Sequence, residues 1–349
     1  MELLRDVDGG VVEVLGLPKI LVVGVGGAGN NTINRLAGLG IDGAQTLAVN
    51  TDAQQLKSVA ADKKVLIGQS ITRGLGAGGE PEMGRLAAEQ SRPDLERALD
   101  GADLVFLTAG LGGGTGTGAA PVVAEIARQR GSTVVALVTM PFQLERSRFN
   151  AASSGLQALR GQTDTMIVMD NNRLLEIAPN LPVAQAFALL DQLAAEIIKG
   201  MAETITRPSL INLDYADLRT VMRCGGHSCV VVGEGSLRNP DKVVGSALGN
   251  PLLPVDIRGA TGCLLHITGG QEMTLRDAAC IASALTAELD PQANVIWGAR
   301  VERDMGHSVR IMAIIAGAVP IEPGRQASVR RSWPKADLAS RKEARGITS

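Results

Sequence analysis

Short continuous apolar runs alternate, along the first half of the chain, with stretches whose apolar residues recur at helical spacing. Lys19–Val23 reads as a buried strand, and Thr32–Leu36 begins a helix. Thr46–Asn50 and Asp103–Leu107 read as further strands, Ala119–Arg130 as a helix, and Thr133–Val138 as a strand again. Continuous apolar strands between helices belong to a parallel sheet covered on both faces. Ligands of such sheets sit beyond the carboxyl ends of the strands.

From Val183 to Thr206 the pattern changes. Ala186, Phe187, Leu189, Leu190, Leu193, Ile197, Ile198, Met201 and Ile205 repeat on one broad helical face, with Pro179 and Pro182 before them and Pro208 after. About 24 residues at about 1.5 Å each give a helix of about 36 Å, a spine between two domains. Beyond it, strands are predicted at Cys229–Val232, Cys263–Thr268, Asn294–Trp297 and Val309–Ile315. Helices are predicted at Asp241–Leu248 and at Leu275–Leu289, the latter capped by Thr274. The expected fold class is α/β: a Rossmann-like parallel-sheet domain over 19–182, a central helix over 183–207, and a smaller α+β domain over 208–320. Residues 1–18 form an extension and 321–349 a flexible tail.

Composition narrows the function. Apolar residues make up 45% of the 349, enough for a sizeable core. The 34 Lys and Arg nearly balance 36 Asp and Glu, which argues against a polycation acting on nucleic acid. Four Phe, two Trp and one Tyr are too few for a protein that stacks successive bases. No apolar stretch approaches the roughly 18 residues of a membrane span, and Arg5, Asp6 and Asp8 do not suit a signal peptide. A cytoplasmic protein without a transmembrane anchor is expected. Cys224-x4-Cys229 with His227 between them invites a metal reading, but Cys229 opens the apolar run Cys229–Val232, so buried thiols are the better account. The tail carries seven basic residues against three acidic ones, with Trp333-Pro334 among them. It is a solvated terminus or a docking segment for a partner or an anionic membrane.

Glycine, at 42 residues, is the outlier, and it clusters where ligands of a parallel sheet would lie. Gly24-Val25-Gly26-Gly27-Ala28-Gly29 follows a strand and opens a helix, with Asp52 at the end of the next strand. Alone, this GxGxxG pattern suggests an NAD-dependent dehydrogenase. A second loop, Gly110-Leu111-Gly112-Gly113-Gly114-Thr115-Gly116-Thr117-Gly118, argues otherwise. Its backbone N–H groups can crowd round an anion without Cβ interference, its Thr hydroxyls add donors, and the next helix favours negative charge. Two facing cradles suit a nucleoside di- or triphosphate. GxxxxGK[ST] is absent, so this is not a P-loop protein, and with no Lys in either cradle a metal ion must help meet the phosphate charge.

Gly112–Gly118, read GGGTGTG, resembles the signature of the tubulin/FtsZ superfamily. The surrounding motifs look like the FtsZ branch, the prokaryotic division GTPases, more than eukaryotic tubulin. They are Gly24–Asn31, Asn50-Thr51-Asp52, Gly76-Ala77-Gly78-Gly79 with Pro81-Glu82, Pro141-Phe142, and Asn212–Asp217, within a resemblance running from Lys19 to Ala318. The resemblance implies GTP/GDP as ligand, with Mg²⁺ held mainly by the nucleotide phosphates and no metal site of the protein's own. It implies that Gly26, Gly27, Asn30 and the loop Gly110, Gly112, Gly113, Gly114, Thr115, Gly116, Thr117, Gly118 hold the phosphates. Gly76, Ala77, Gly78 and Gly79 would close over the γ-phosphate, and Asn50 and Pro141 belong to the same binding set. Glu145 would bind the ribose, Asn171 would contact guanine, and Phe187 would stack on the base. Asp191, one helical turn on, would accept from its N1–H and 2-amino group. Relatives place Gly after the ribose Glu and Arg four residues on. Glu145-Arg146-Ser147-Arg148-Phe149 is one residue shorter, leaving Arg148 to take that role.

Asn212-x-Asp214-x-x-Asp217 has two readings. Asp214 caps a helix beginning near Ala216, with Asp217 favouring its dipole; or, as the resemblance implies, Asn212, Asp214 and Asp217 form a catalytic loop that orients the water attacking a γ-phosphate. With Phe187 near one end of the long helix and Asp214 beyond the other, a catalytic Asp214 needs a neighbour's nucleotide. That predicts a head-to-tail homopolymer whose GTP hydrolysis depends on assembly. The resemblance implies a cytokinetic filament at mid-cell, with membrane-adaptor or division proteins meeting the tail, and no nucleic acid is expected as a partner. A scaffold filament for cell shape or DNA positioning is the rival, with the dehydrogenase behind it.

Overall fold

A computed structural model of the chain describes residues 3–5, 11–13, 17–207, 209–222, 228–249 and 255–320. The Cys224–His227 readings, Pro208 and the basic tail over 321–349 lie outside the described residues.

Strands β1 (Leu3–Arg5) and β2 (Val11–Glu13) pair antiparallel ahead of the main body. The first domain then lays down β3 (Ile20–Val25), β4 (Ala44–Asn50), β5 (Lys63–Leu66), β6 (Leu104–Gly110), β7 (Thr133–Met140) and β8 (Thr165–Asp170) as a parallel sheet of order β5-β4-β3-β6-β7-β8. Side chains alternate across it, as the pleat requires. Ile20 and Val22 join a core with Ile33, Leu36, Ile197 and Met201, while Leu21, Val23 and Val25 join another with Ala87, Leu95, Val123 and Ala124.

The covering helices of this domain are α1 (Gly26–Leu39), α2 (Ala53–Ser58), α3 (Gln69–Thr72), α4 (Pro81–Gln90), α5 (Arg92–Leu99), α6 (Gly114–Gln129), α7 (Arg146–Arg160) and α8 (Asn172–Ile177). From β3 the chain runs outward to β4 and β5, then returns to β6 on β3's other side. The β3–β6 boundary is therefore a topological switch point, and both glycine loops sit at its carboxyl end.

Helix α9 (Val183–Thr206) covers the segment that the apolar spacing indicated. It lies between the two sheets, since Ala194, Ile197, Ile198 and Met201 share one core with Val22 of β3 and with Leu264 and Ile314 of the second domain. A Cβ on Gly200 would lie 2.3 Å from Met312 Cε, so the bare backbone there admits the second sheet to close contact.

The second domain begins with α10 (Tyr215–Met222) and continues through β9 (Ser228–Ser236), α11 (Pro240–Leu248), β10 (Val255–Asp256), β11 (Gly262–Gly269), α12 (Leu275–Thr286), β12 (Asn294–Val301), β13 (Ser308–Ala316) and β14 (Val319–Pro320). Its four-stranded sheet has the order β12-β11-β13-β9, parallel only between β11 and β12. Thr274 caps α12 as expected, through a reciprocal box with Asp277. The helix stops at Thr286 rather than Leu289, where the chain turns so that the N–H of Asp290 can donate to the Ala260 carbonyl at 3.0 Å.

One expectation fails in an instructive way. Gly114–Gly118 is not loop but the first turn of α6, which starts five residues before the predicted Ala119. Glycine costs about 1 kcal/mol in a helix relative to alanine. Close packing outweighs that here: a Cβ on Gly118 would lie 1.8 Å from the Pro81 carbonyl of α4. Among the described residues, no helix is long and apolar enough to cross a membrane.

Candidate functional site

At the switch point lies a cavity of about 430 Å³. Its floor is backbone. Gly27 and Ala28 come from the turn after β3, and Gly110, Leu111, Gly113, Gly114, Thr115 and Gly116 from the turn after β6. The two turns touch. Gly26 has φ +72°, and a Cβ on it would lie 2.9 Å from the Gly116 N; a Cβ on Gly116 would lie 2.3 Å from the Gly110 carbonyl. Glycine at both positions lets two strand–helix turns converge with their N–H groups at hand for an anion. The Thr115 hydroxyl meets that of Thr51 at 2.7 Å.

Several candidates sit behind this floor instead of on it. Asn30 is fully buried, with neither Nδ2 nor Oδ1 hydrogen-bonded, whereas Asn31 lines the cavity. Because α1 already begins at Gly26, Gly27, Ala28 and Asn31 fall on its cavity face and Asn30 is turned inward. Asn31 therefore replaces Asn30 as the polar side chain at this wall. Thr117 is also buried, and its Oγ1 accepts the Gly112 N–H at 2.8 Å, bracing the loop from within. Gly112 likewise offers its carbonyl to Arg148 Nε at 3.2 Å, and Gly118 is held against α4.

Asn50 reaches the cavity wall but its amide is committed to the turn. Oδ1 accepts from the N–H of Thr51 at 2.9 Å and of Asp52 at 3.2 Å, and Nδ2 donates to Gln55 Oε1 at 2.9 Å. Asp52 is the N-cap of α2, accepting the Gln55 N–H at 2.9 Å. In the Gly76–Gly79 segment Gly76 lines the cavity, its N–H donating to the Thr51 carbonyl at 3.2 Å, and Ala77 is buried beside Gly114. Gly78 and Gly79, both at positive φ, stand clear of other atoms.

The opposite end of the cavity is built from side chains: Pro141, Glu145, Arg148, Asn171, Phe187 and Asp191. Glu145 Oε1 accepts the Phe142 N–H at 3.1 Å and Oε2 pairs with Arg148 Nη1 at 2.6 Å, so the shortened segment still brings the two side chains together. Phe187 is 40% exposed and packs edge-on against Phe142, ring centres 5.9 Å apart. Asp191 lies one turn along the same face of α9. Burial pushes its carboxyl up to about 6, against the pull of Arg35. Asn171 is buried with Oδ1 unpartnered. Thr139, Gln55, Leu111 and Leu190 also line the cavity and carried no signal in the sequence beyond their neighbourhood.

Asn212, Asp214 and Asp217 are elsewhere. Asn212 Oδ1 accepts the Ser209 N–H at 2.6 Å. Asp214 Oδ1 accepts the Asp217 N–H at 2.8 Å, and Asp217 Oδ2 accepts the Asp214 N–H at 3.0 Å. This is a capping box at the start of α10, so the helix-capping reading is realised. Asp214 Oδ2 and Asp217 Oδ1 take no part in it, and Asp214 is exposed.

Two measures put this loop far from the cavity. Phe187 and the end of α9 at Thr206 are 19 residues apart, about 28 Å of helix. Tyr215 touches Asp103 and Thr133, at the amino ends of β6 and β7, while the cavity lies about 20 Å away at their carboxyl ends.

A parallel sheet with two glycine turns at its switch point, a spine helix and a second sheet domain define a tubulin-like nucleotide-binding protein. The description "Tubulin/FtsZ family, GTPase domain" fits residues 19–179, and "FtsZ family, C-terminal domain" fits 226–319. The chain is 55% identical over 315 residues to cell division protein FtsZ 2 of Haloferax volcanii, covering 90% of this chain and 78% of that one. It is 52% identical over 338 residues to FtsZ 2 of Methanocaldococcus jannaschii, covering 95% and 89%. An empty FtsZ dimer from M. jannaschii has the same fold at TM-score 0.81 and 44% identity, covering 90% of this chain and 95% of that one. CetZ2 of H. volcanii shares the fold at TM-score 0.74 and 22% identity, covering 86% and 93%.

The chain belongs to the FtsZ family. It is a GTPase that binds guanine nucleotide, and the dehydrogenase reading of Gly24–Gly29 with Asp52 is set aside.

Proposed function

We propose that this chain is a cell-division GTPase that polymerises head to tail and hydrolyses GTP at the junction between subunits. The observation that carries the reading is the separation of cradle and acidic loop. The cavity has the shape and backbone donors for a nucleotide, while the carboxylates with uncommitted oxygens, Asp214 and Asp217, lie at the far end of the same strands. A head-to-tail contact would set one subunit's loop on its neighbour's cavity, and such a contact propagates as a filament unless it closes. Dimer formation by the M. jannaschii relative supports self-association, and the names of the H. volcanii and M. jannaschii relatives support the division role.

In this reading the phosphates rest on Gly27, Ala28 and the Gly110–Gly116 turn, with Asn31 beside them. Gly76 to Gly79 meet the γ-phosphate, where GTP and GDP differ. Glu145 and Arg148 hold the ribose side, Asn171 and Phe187 the base, and ionised Asp191 accepts from the two guanine donors that adenine lacks. The cradle's donors are backbone and hydroxyl groups with the Asn31 amide, and among the described residues that line the cavity the cation is Arg148, already paired with Glu145. That donor set fits Mg²⁺ riding on the phosphate oxygens, where it would neutralise charge developing on the β and γ groups. Asp214 and Asp217 orient the attacking water, and catalysis rests on positioning without covalent chemistry. Loss of the γ-phosphate contacts weakens the junction. The filament is expected in the cytoplasm at the division site, with adaptor proteins meeting residues 321–349.

The test is sedimentation of the chain and of Asp214→Ala with GTP or GDP in Mg²⁺ buffer, with phosphate release followed in parallel. Both proteins are expected to pellet with GTP and not with GDP, and Asp214→Ala to lose at least ~10²-fold in turnover. Normal turnover in Asp214→Ala would sink the assignment. Pelleting without turnover in the parent chain would favour a nucleotide-gated scaffold.

A further inference from the structure

Tyr215 stands in sequence between the two carboxylates of the acidic loop, but its side chain is committed to the other domain. Its hydroxyl donates to the Asp103 carbonyl at 2.7 Å. With that single proton spent, the 2.7 Å contact to Thr133 Oγ1 has the threonine as donor. Asp103 is itself a junction. Its carbonyl also accepts the Thr133 N–H at 2.9 Å, its N–H donates to the Lys19 carbonyl at 2.9 Å, and its Oδ2 accepts the Lys19 N–H at 2.8 Å. The hydroxyl is thus fastened where β3, β6 and β7 begin. The ring packs against the core shared by both domains, the same core that takes up Leu218 and Val221 of α10.

Those strands end, at their other extremity, in the cradle. β3 runs into the Gly26–Ala28 turn and β6 into the Gly110–Gly116 turn. We infer that Tyr215 is a positioning residue for hydrolysis, fixing the Asp214–Asp217 box through its hydroxyl to the strands that carry the same subunit's phosphate turns. The inference rests on the cross-subunit reading of Asp214 given above. α9 reaches the loop through Arg207, Ser209 and the Ile211–Ala299 bridge, a run of non-helical residues. The tyrosine supplies a direct second tether. In a filament, the spacing between the loop a subunit gives and the cradle it offers then follows rigid strands instead of a connecting segment. Catalysis by positioning is sensitive to this, since a displacement of about 1 Å can cost about 10²-fold.

Tyr215→Phe keeps the ring and removes both hydroxyl contacts. It is expected to lower kcat about tenfold while leaving KM, GTP affinity and the pelleted fraction within about twofold. In an Asp214→Ala background the same change is expected to alter residual turnover by less than about twofold, because there is no carboxylate left to position. A merely structural tyrosine would give the same fold-loss in both backgrounds, and that result overturns the inference. Thr133→Val removes one contact without touching the loop, and is expected to lower kcat about threefold with the same dependence on Asp214. It carries the test independently of how Tyr215→Phe folds. Wild-type kcat in both variants, with Asp214→Ala inactive, refutes the tyrosine's role alone. Wild-type turnover in Asp214→Ala refutes the reading beneath it.

Discussion

The two ends of the six-stranded sheet are built in opposite ways. At the carboxyl end, two glycine turns press together until a Cβ on Gly116 would sit 2.3 Å from a carbonyl, leaving backbone N–H groups around a cavity of about 430 Å³. At the amino end, Tyr215 plants α10 on Asp103 and Thr133, with Asp214 and Asp217 locked to each other and one oxygen of each outside the lock. In the cradle Asp52 caps a helix and Glu145 is paired with Arg148, while Asp191 lines the cavity one helical turn from Phe187. The loop's carboxylates, Asp214 and Asp217, are not among the residues that line that cavity. On the cross-subunit reading proposed above, each end supplies half of an active site, and the helix and strands between them keep the two halves of one subunit apart.

The largest effect is expected of Asp214→Ala, which should reduce kcat by at least ~10²-fold in phosphate-release assays while equilibrium GTP binding stays unchanged. Gly116→Ala should do the reverse, weakening GTP binding by about 10- to 100-fold in calorimetric titration, because its Cβ forces the turn off the Gly110 carbonyl. A smaller effect belongs to pH. Burial raises the Asp191 carboxyl to about 6, and the proposed contact with guanine requires it ionised. Affinity should be near full at about pH 7 and fall as pH drops through about 6, by about tenfold between pH 7 and pH 5; Asp191→Asn should be weaker throughout and lack this slope. For the empty protein the sign is opposite, since the raised value favours the fold below the ordinary carboxylate range and that contribution is lost as pH rises past about 6. The smallest change is Thr274→Ala, at the other capping box. It should cost about 1 kcal/mol in denaturant unfolding and leave turnover untouched, separating what a box does for a helix from what the Asp214–Asp217 box does for chemistry.

The sequence announced its strongest features in patterns that local physics reads well. The apolar face of α9 and the prolines around it foretold Val183–Thr206, and the buried strands at the middle of the sheet were continuous apolar runs. The edge strands were harder. β5 opens on Lys63-Lys64, and β8 is an alternating half-buried strand with a Thr at its start and an Asp at its end, so neither matched the fully buried pattern. The first turn of α6 was hidden because glycine disfavours helix, and only the approach of α4 explains it. Asn30 and Asn31 are chemically identical, so choosing between them required knowing that α1 begins at Gly26. For Asp214 and Asp217 the capping and catalytic readings are both compatible with one arrangement, because a carboxylate has two oxygens and the box uses one of each.

On the proposed reading the hydrolytic site forms only between subunits, so GTP turnover per subunit should depend on protein concentration in Mg²⁺ buffer. A threshold concentration followed by a rise to a plateau is the predicted result. Turnover per subunit that stays constant from the lowest concentration upward would mean a self-contained site and would contradict the account.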